Sequence, residues 1–131
     1  MPREWEWLRS QSEVVTDWVY KMVSAGEWSA AVRVGSYEGS AVDRRDGFIH
    51  LSTSDQISET ATKHFLGQED LIIVAFATQS LGEQLRWEPS RGGQLFPHYY
   101  GHVPTQLARW VEAAPLDGQG IPDIPARVWS C

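Results

Sequence analysis

Read for the spacing of its apolar positions, the chain divides into stretches that alternate and stretches that repeat every three or four residues. "WVYKMV" at 18–23 alternates and is rich in β-formers, so it predicts the first strand. Ser24 stands as a cap before a helix that begins near Ala25, with Trp28, Ala31 and Val32 on one face and Gly35 as its stop. Residues 35–47, "GSYEGSAVDRRDG", are rich in glycine, serine and charge and predict a long loop. "FIHLS" at 48–52 predicts the second strand. "TSDQISETATKHF" predicts the next helix: Thr53 and Gln56 have capping-box spacing, Ile57, Ala61 and Phe65 recur at intervals of four, and Gly67 ends it. "DLIIVAFAT" at 70–78 is apolar on both faces, which predicts a central strand. A short strand over 84–88 ends at Pro89, and "SRGGQLFPHYYGHVP" predicts a loop from its glycines and prolines. "TQLARWVEAAPL" suits a helix by its alanines and a strand by its length; the reading adopted is a strand from about Ala108 to Ala114. The sum is an α+β domain over residues 18–116 with about five strands and two main helices. Residues 1–17 form an N-terminal appendage, in which Trp5, Trp7 and Leu8 suit one helical turn, and 117–131 an irregular tail.

Composition narrows the class. A length of 131 residues suits one domain and can bury a core without disulfides or metals. The 42% hydrophobic content is that of a globular protein, and "LIIVAFA" is far too short to span a membrane. "MPREWEWLRS" lacks the apolar run of a signal peptide, and the lone cysteine is Cys131, so a reduced, cytoplasmic, soluble protein is expected, without disulfide or cysteine metal cage. A formal charge of −6 speaks against large nucleic-acid partners but leaves room for a small anionic or nucleotide ligand held by local arginines. Seven tryptophans are explained by a small core built of large side chains, or by one or two of them walling a pocket. A monomer is expected.

Alternation within the strands brings out the candidate chemistry. In "FIHLS", Ile49 and Leu51 point one way while Phe48, His50 and Ser52 point the other; in "LRWE", Leu85 and Trp87 oppose Arg86 and Glu88. If the two polar faces converge, His50, Ser52, Arg86 and Glu88 surround a pocket. The structural alternative makes His50 a half-buried histidine bonded to backbone, and Arg86 and Glu88 a solvated sheet edge. Arg91 in "RGG" is a candidate anion clamp, unless those glycines serve only the loop's dihedrals. His98 and His102 are four apart, but Pro97, Gly101 and Pro104 oppose a helix, so no metal site is assigned. Tyr99 and Tyr100 are better read as aromatic or hydrogen-bonding walls. His64 is read as a core-edge residue, and Asp43, Arg44, Arg45 and Asp46 as a charged loop. "GSYEGS" lacks the P-loop lysine, and no G-x-S-x-G is present.

"DRRDGFIHLSTSDQISETATKHF", then "DLIIVAF", then "LRWEPSRGGQLFPHYYG" resemble the bacterial and plant family known as domain of unknown function nine-fifty-two, over roughly residues 19–115. The resemblance implies an ADP-ribosyltransferase-like fold, a small split β-sheet whose central cleft holds NAD in the true enzymes. In that wider group a histidine or arginine on an early strand contacts a ribose, hydroxyl residues at a strand-to-helix segment support the cleft, and a late glutamate engages the ribose under attack. By position His50 corresponds to the first, Ser52 and Thr53 to the second and Glu88 to the third. The resemblance further implies Tyr99 or Tyr100 as the ring stacked on nicotinamide, and Arg86, Arg91 or the loop arginines as partners of the pyrophosphate. Its related RNA 2′-phosphotransferases share the fold, but the charge of −6 speaks against a large RNA substrate. The expected function is binding of NAD or a related nucleotide, with ADP-ribosyl- or phospho-transfer as the implied chemistry. A non-catalytic ligand-binding module and a protein-interaction domain are the rivals.

Overall fold

In the computed structural model, residues 16–129 are described, the Arg91 side chain excepted; residues 1–15 of the appendage, with the expected helical turn at Trp5, Trp7 and Leu8, lie outside them. The first alternating segment is strand β1 (Trp18–Ser24), with Val19 and Val23 buried on one face and Tyr20 and Met22 on the other. The Ser24 Oγ accepts the Glu27 N–H at 3.1 Å and so caps helix α1 (Ala25–Val34), which ends at Gly35. Trp28 and Ala31 are buried, but Val32, about 100° round the helix from Ala31, is 53% exposed, so the buried stripe is narrower than expected.

Residues 35–47 are not a plain loop. They contain strand β2 (Ser36–Tyr37) and helix α2 (Ala41–Asp46). A capping box makes so short a helix viable: Ser40 Oγ accepts the Asp43 N–H at 3.2 Å, and Asp43 Oδ2 accepts the Ser40 N–H at 2.9 Å. Gly47, at φ 88°, closes it with a left-handed residue that a side chain would disfavour. Strand β3 (Ile49–His50) is shorter than the expected 48–52. Helix α3 (Ser54–His64) follows as expected, with the Thr53 N–H on Gln56 Oε1 at 3.1 Å and Ile57 and Ala61 buried. Then come strand β4 (Leu71–Ala77), the single turn α4 (Thr78–Leu81), strand β5 (Leu85–Pro89), strand β6 (Leu95–Tyr99), the two-residue β7 (Val103–Pro104) and β8 (Ala108–Ala113). The described residues thus hold more strands than the expected five, chiefly because β2, β6 and β7 form where loops were expected.

All pairings are antiparallel, in the orders β1-β4-β8, β3-β6-β5 and β2-β7. The run Leu71–Ala77 is apolar throughout because both faces of β4 are covered. Val74 and Phe76 pack with Trp28 of α1 and with Ile49, Leu51 and Tyr99 of the second sheet. Ile73 and Ala75 pack with Ile57 and Ala61 of α3. The two three-stranded sheets meet at one bridge, where Tyr20 and Ser52 exchange backbone hydrogen bonds of 2.8 and 2.9 Å.

Strand β6 lies at the centre of its sheet despite Pro97. The Leu51 N–H donates to the Pro97 carbonyl at 3.0 Å, and proline has no N–H to return the bond. The β3–β6 ladder stops there, which explains both the shortness of β3 and the tolerance of a proline between two strands.

Ile57, fully buried at the α3–sheet contact, provides a test of this packing. Ile57→Ala is expected to cost about 2–5 kcal/mol in urea denaturation; a loss below about 1 kcal/mol would contradict the described contact.

Candidate functional site

The second sheet has one oily and one chemical face. Ile49, Leu51, Leu85, Trp87 and Tyr99 turn into the core. On the other face the register aligns His50 with His98, His98 with Arg86, and Phe96 with Glu88. The alternation expected for "FIHLS" and "LRWE" is therefore present, with β6 interposed between them.

At one end of this face lies Asp43, only 2% exposed. Its Oδ2 accepts from Lys21 Nζ at 2.8 Å and from the Ser40 N–H at 2.9 Å. Its Oδ1 accepts from the His50 N–H at 3.1 Å and from His50 Nδ1 at 2.7 Å. An ionised carboxylate only accepts, so Nδ1 of His50 carries the hydrogen. Lys21 Nζ also donates to the His50 carbonyl at 3.0 Å, and His50 Nε2 lies 3.1 Å from Asp46 Oδ2. Burial alone would raise the Asp43 pKa; the hydrogen bond from His50 and the charge of Lys21 outweigh it and hold the carboxyl well below the usual carboxylate range. Gly39, at φ 104°, lets the chain pass Asp43, since a Cβ there would stand 2.7 Å from the Asp43 Cβ.

A second carboxylate–imidazole pair stands one strand away. His98 Nδ1 donates to Glu88 Oε1 at 2.8 Å, and the Tyr100 hydroxyl donates to the same oxygen at 2.8 Å. Those two bonds hold Glu88 below its usual pKa. Burial pushes His98 down, against the opposing pull of Glu88. Phe48 stacks on His98 with centroids 4.1 Å apart and touches His50 and Tyr100 as well. The rings of His50 and His98 are 5.5 Å apart, edge to face.

A cavity of about 620 Å³ opens beside the Tyr20–Ser52 bridge between the sheets. It lies within the ordinary size range of small-ligand sites. Tyr20 to Ser24 of β1 form one wall, and His50, Ser52, Phe96 and His98 the other. Residues of α2, including Asp43 and Arg45, and the C-terminal half of α3, with Thr60, His64 and Phe65, complete it. Three of the four histidines of the chain border this one space.

The sequence-predicted residues divide accordingly. His50 and Ser52 border the cavity together, with Ser52 Oγ 3.1 Å from Thr60 Oγ1. Thr53 is buried as the cap of α3 and is not among the bordering residues. Glu88 shares the face of His50 but stands behind His98, outside the cavity lining. Arg86 lies over the Tyr100 ring at 4.6 Å, and neither borders the cavity. Tyr99 corrects the expectation: it is buried in the core on the opposite face, its hydroxyl on Gln84 Oε1 at 3.0 Å, because its neighbours alternate with it. The Arg91 side chain lies outside the described residues. His64 is exposed at the cavity wall, not a core-edge residue. No described tryptophan borders the cavity. Among the described residues no group of three or more His, Cys, Asp or Glu is placed to hold a metal ion, and His102 stands exposed near Glu38 while His98 is buried.

Asp43, Lys21 and His98 line the cavity without having been expected there. The signal for Asp43 was the S-A-V-D spacing of a capping box. For Lys21 it was a lysine between valines on a buried strand face, and for His98 the alternation of "LFPHYY".

The fold and site define a small α+β protein with a cleft between two antiparallel sheets and two carboxylate-backed imidazoles on its wall. The chain belongs to the family described as Protein of unknown function (DUF952), whose model matches residues 22–111. It is similar to protein CC0527 from Caulobacter crescentus: the crystal structure is 44% identical, with a TM-score of 0.83, over 86% of this chain and 98% of that one. The solution NMR structure of CC0527 is 46% identical, with a TM-score of 0.75, over 82% of this chain and 92% of that one. Among curated proteins none matches the chain. No helix among the described residues is long and apolar enough to cross a membrane.

The Asp43 cluster yields a pH-dependent prediction. Asp43→Asn is expected to cost about 3–5 kcal/mol at pH 7, because Lys21 is then buried without its counter-charge. The folded pKa of Asp43 is depressed, so its stabilisation is present above the unfolded carboxylate pKa of about 4 and declines below it. Denaturation at a series of pH values should therefore show wild type and variant converging under acid; a constant gap would contradict the assigned charge.

Proposed function

We propose that the protein binds NAD or a related nucleotide in the cleft beside the Tyr20–Ser52 bridge, as an ADP-ribosyltransferase-like protein. One observation carries the reading: His50 and Ser52, which the family resemblance assigns to ribose contact and cleft support, border the same cavity of about 620 Å³. The chemistry of the lining agrees. Tyr20, Phe65 and Phe96 offer apolar and aromatic surface for a flat base. Hydroxyl groups suit ribose oxygens, as does His50 Nε2 once it exchanges its 3.1 Å contact with Asp46 for the ribose, and Arg45, exposed at the rim and paired with Asp46 at 3.1 Å, supplies a cation in place of Arg86.

Glycosidic cleavage of NAD builds oxocarbenium character on the ribose, which a nearby carboxylate stabilises. Glu88 is engaged by His98 and Tyr100 behind the lining, and this favours a second reading: nucleotide binding in which Glu88 does not touch the ribose.

Thermal-shift measurements with NAD, ADP-ribose and AMP test the reading. Ligand at about 100 times its Kd is expected to raise the melting temperature by several degrees. His50→Ala should lose most of that shift. If no nucleotide moves the transition at millimolar concentration, the cleft is not a nucleotide site; if His50→Ala keeps the full shift, His50 is not part of it.

A further inference from the structure

His98 differs from His50 in one respect that matters for chemistry. Both Nδ1 atoms are committed to carboxylates, but His50 also has Nε2 against Asp46 at 3.1 Å. Among the described residues, His98 Nε2 has no hydrogen-bond partner, although the residue is only 5% exposed and borders the cavity. A buried polar atom without a partner is costly and in native proteins calls for water or a ligand. The Glu88 carboxylate only accepts, so Nδ1 carries the hydrogen and Nε2 presents a lone pair. Phe48 covers one face of the ring and fixes its plane. An oriented, carboxylate-backed imidazole on a cavity-lining residue, its Nε2 without a partner among the described residues, has the build of a general base.

We infer that His98 is the general base of the cleft and that Glu88 is its positioning residue, so that the reaction run on NAD is hydrolysis. The inference rests on the nucleotide reading above. Burial decides the acceptor: a base at 5% exposure meets only what enters the cavity, and a hydroxyl or amine on a folded protein surface does not reach it, whereas water does. In the step, the bond between nicotinamide nitrogen and ribose C1′ breaks and its electron pair leaves with nicotinamide. A water oxygen bonds to C1′, and the proton that water loses passes to His98 Nε2 and on to solvent. NAD and water are consumed; ADP-ribose, nicotinamide and one proton are formed.

The groups facing His98 set the sign of its pH dependence. These are Glu88 and Arg86 of β5, Tyr100 beside β6, His50 of β3 and Asp43 of α2. Burial and His50 lower the pKa of His98, while Glu88 and Asp43 raise it. A base works above its pKa, so removing Glu88 leaves burial less opposed and moves the acid limb of the rate profile to lower pH.

Two measurements on the full chain test this. Imidazole ¹⁵N NMR of the wild type, with ADP-ribose as probe, should show His98 hydrogen on Nδ1 and a displaced Nε2 resonance when ADP-ribose is added. No melting shift with ADP-ribose and NAD overturns the nucleotide reading and this inference with it. A melting shift with a silent Nε2, or hydrogen found on Nε2, overturns this inference alone. In nicotinamide release from NAD, His98→Gln should lower kcat about 100-fold. Glu88→Gln should lower it less and displace the acid limb downward, which a merely structural glutamate would not do. Wild-type release by His98→Gln, or an unmoved limb in Glu88→Gln, counts against the assignment, and the NMR result stands even if His98→Gln fails to fold.

Discussion

A carboxylate taken out of water must be given hydrogen-bond donors from wherever the chain can bring them, and Asp43 draws them from three separate segments. It receives Lys21 from the first strand, Ser40 at the start of its own short helix, and both the backbone and the ring of His50. That one group therefore holds the two sheets in register where their backbones scarcely touch, the exchange between Tyr20 and Ser52 being the bridge between β1 and the β3 side. Such a buried pair adds little net stability over a well-packed hydrocarbon equivalent, but losing one partner is expensive. Its effect here is positional: it sets the ring of His50 and closes the capping box of α2.

The cleft itself is a consequence of unequal coverage. Both faces of β4 are covered by hydrocarbon, whereas the face of the β3-β6-β5 sheet turned away from the core carries rings and charges, with His98 and Phe96 buried among them. Phe48, His50, His98 and Tyr100 pack against one another there. His50 thereby has both ring nitrogens against carboxylates, whereas His98 has only Nδ1 so engaged among the described residues. Rigid aromatic neighbours cost little conformational entropy to order, so the site is built before any ligand arrives.

Much of this was legible locally. The alternation of "FIHLS" and "LRWE" placed Ile49, Leu51, Leu85 and Trp87 inward and His50, Arg86 and Glu88 outward, and the continuous run of β4 marked a strand covered twice. Ser24 and the Thr53–Gln56 pair marked their helix starts. What was not legible had a common cause. "LFPHYY" alternates as clearly as its neighbours, but Pro97 argues against a central strand, and only the early end of β3 makes that proline acceptable. Four charged residues at 43–46 suggest a solvated loop, and nothing within the run says that Asp43 turns inward while Arg44 and Arg45 stay exposed.

Side-chain direction along a strand and the capping of a helix depend on residues a few places apart, and for that reason the sequence alone determined the oily and chemical faces, the two main helices and the candidacy of His50. Which faces meet depends on strand order, a matter of pairing between residues far apart in the chain. Only the tertiary structure decided that β6 lies between β3 and β5. By that order His98, not Glu88, borders the cavity beside His50, and because 95–99 forms a strand at all, alternation turns Tyr99 to the core.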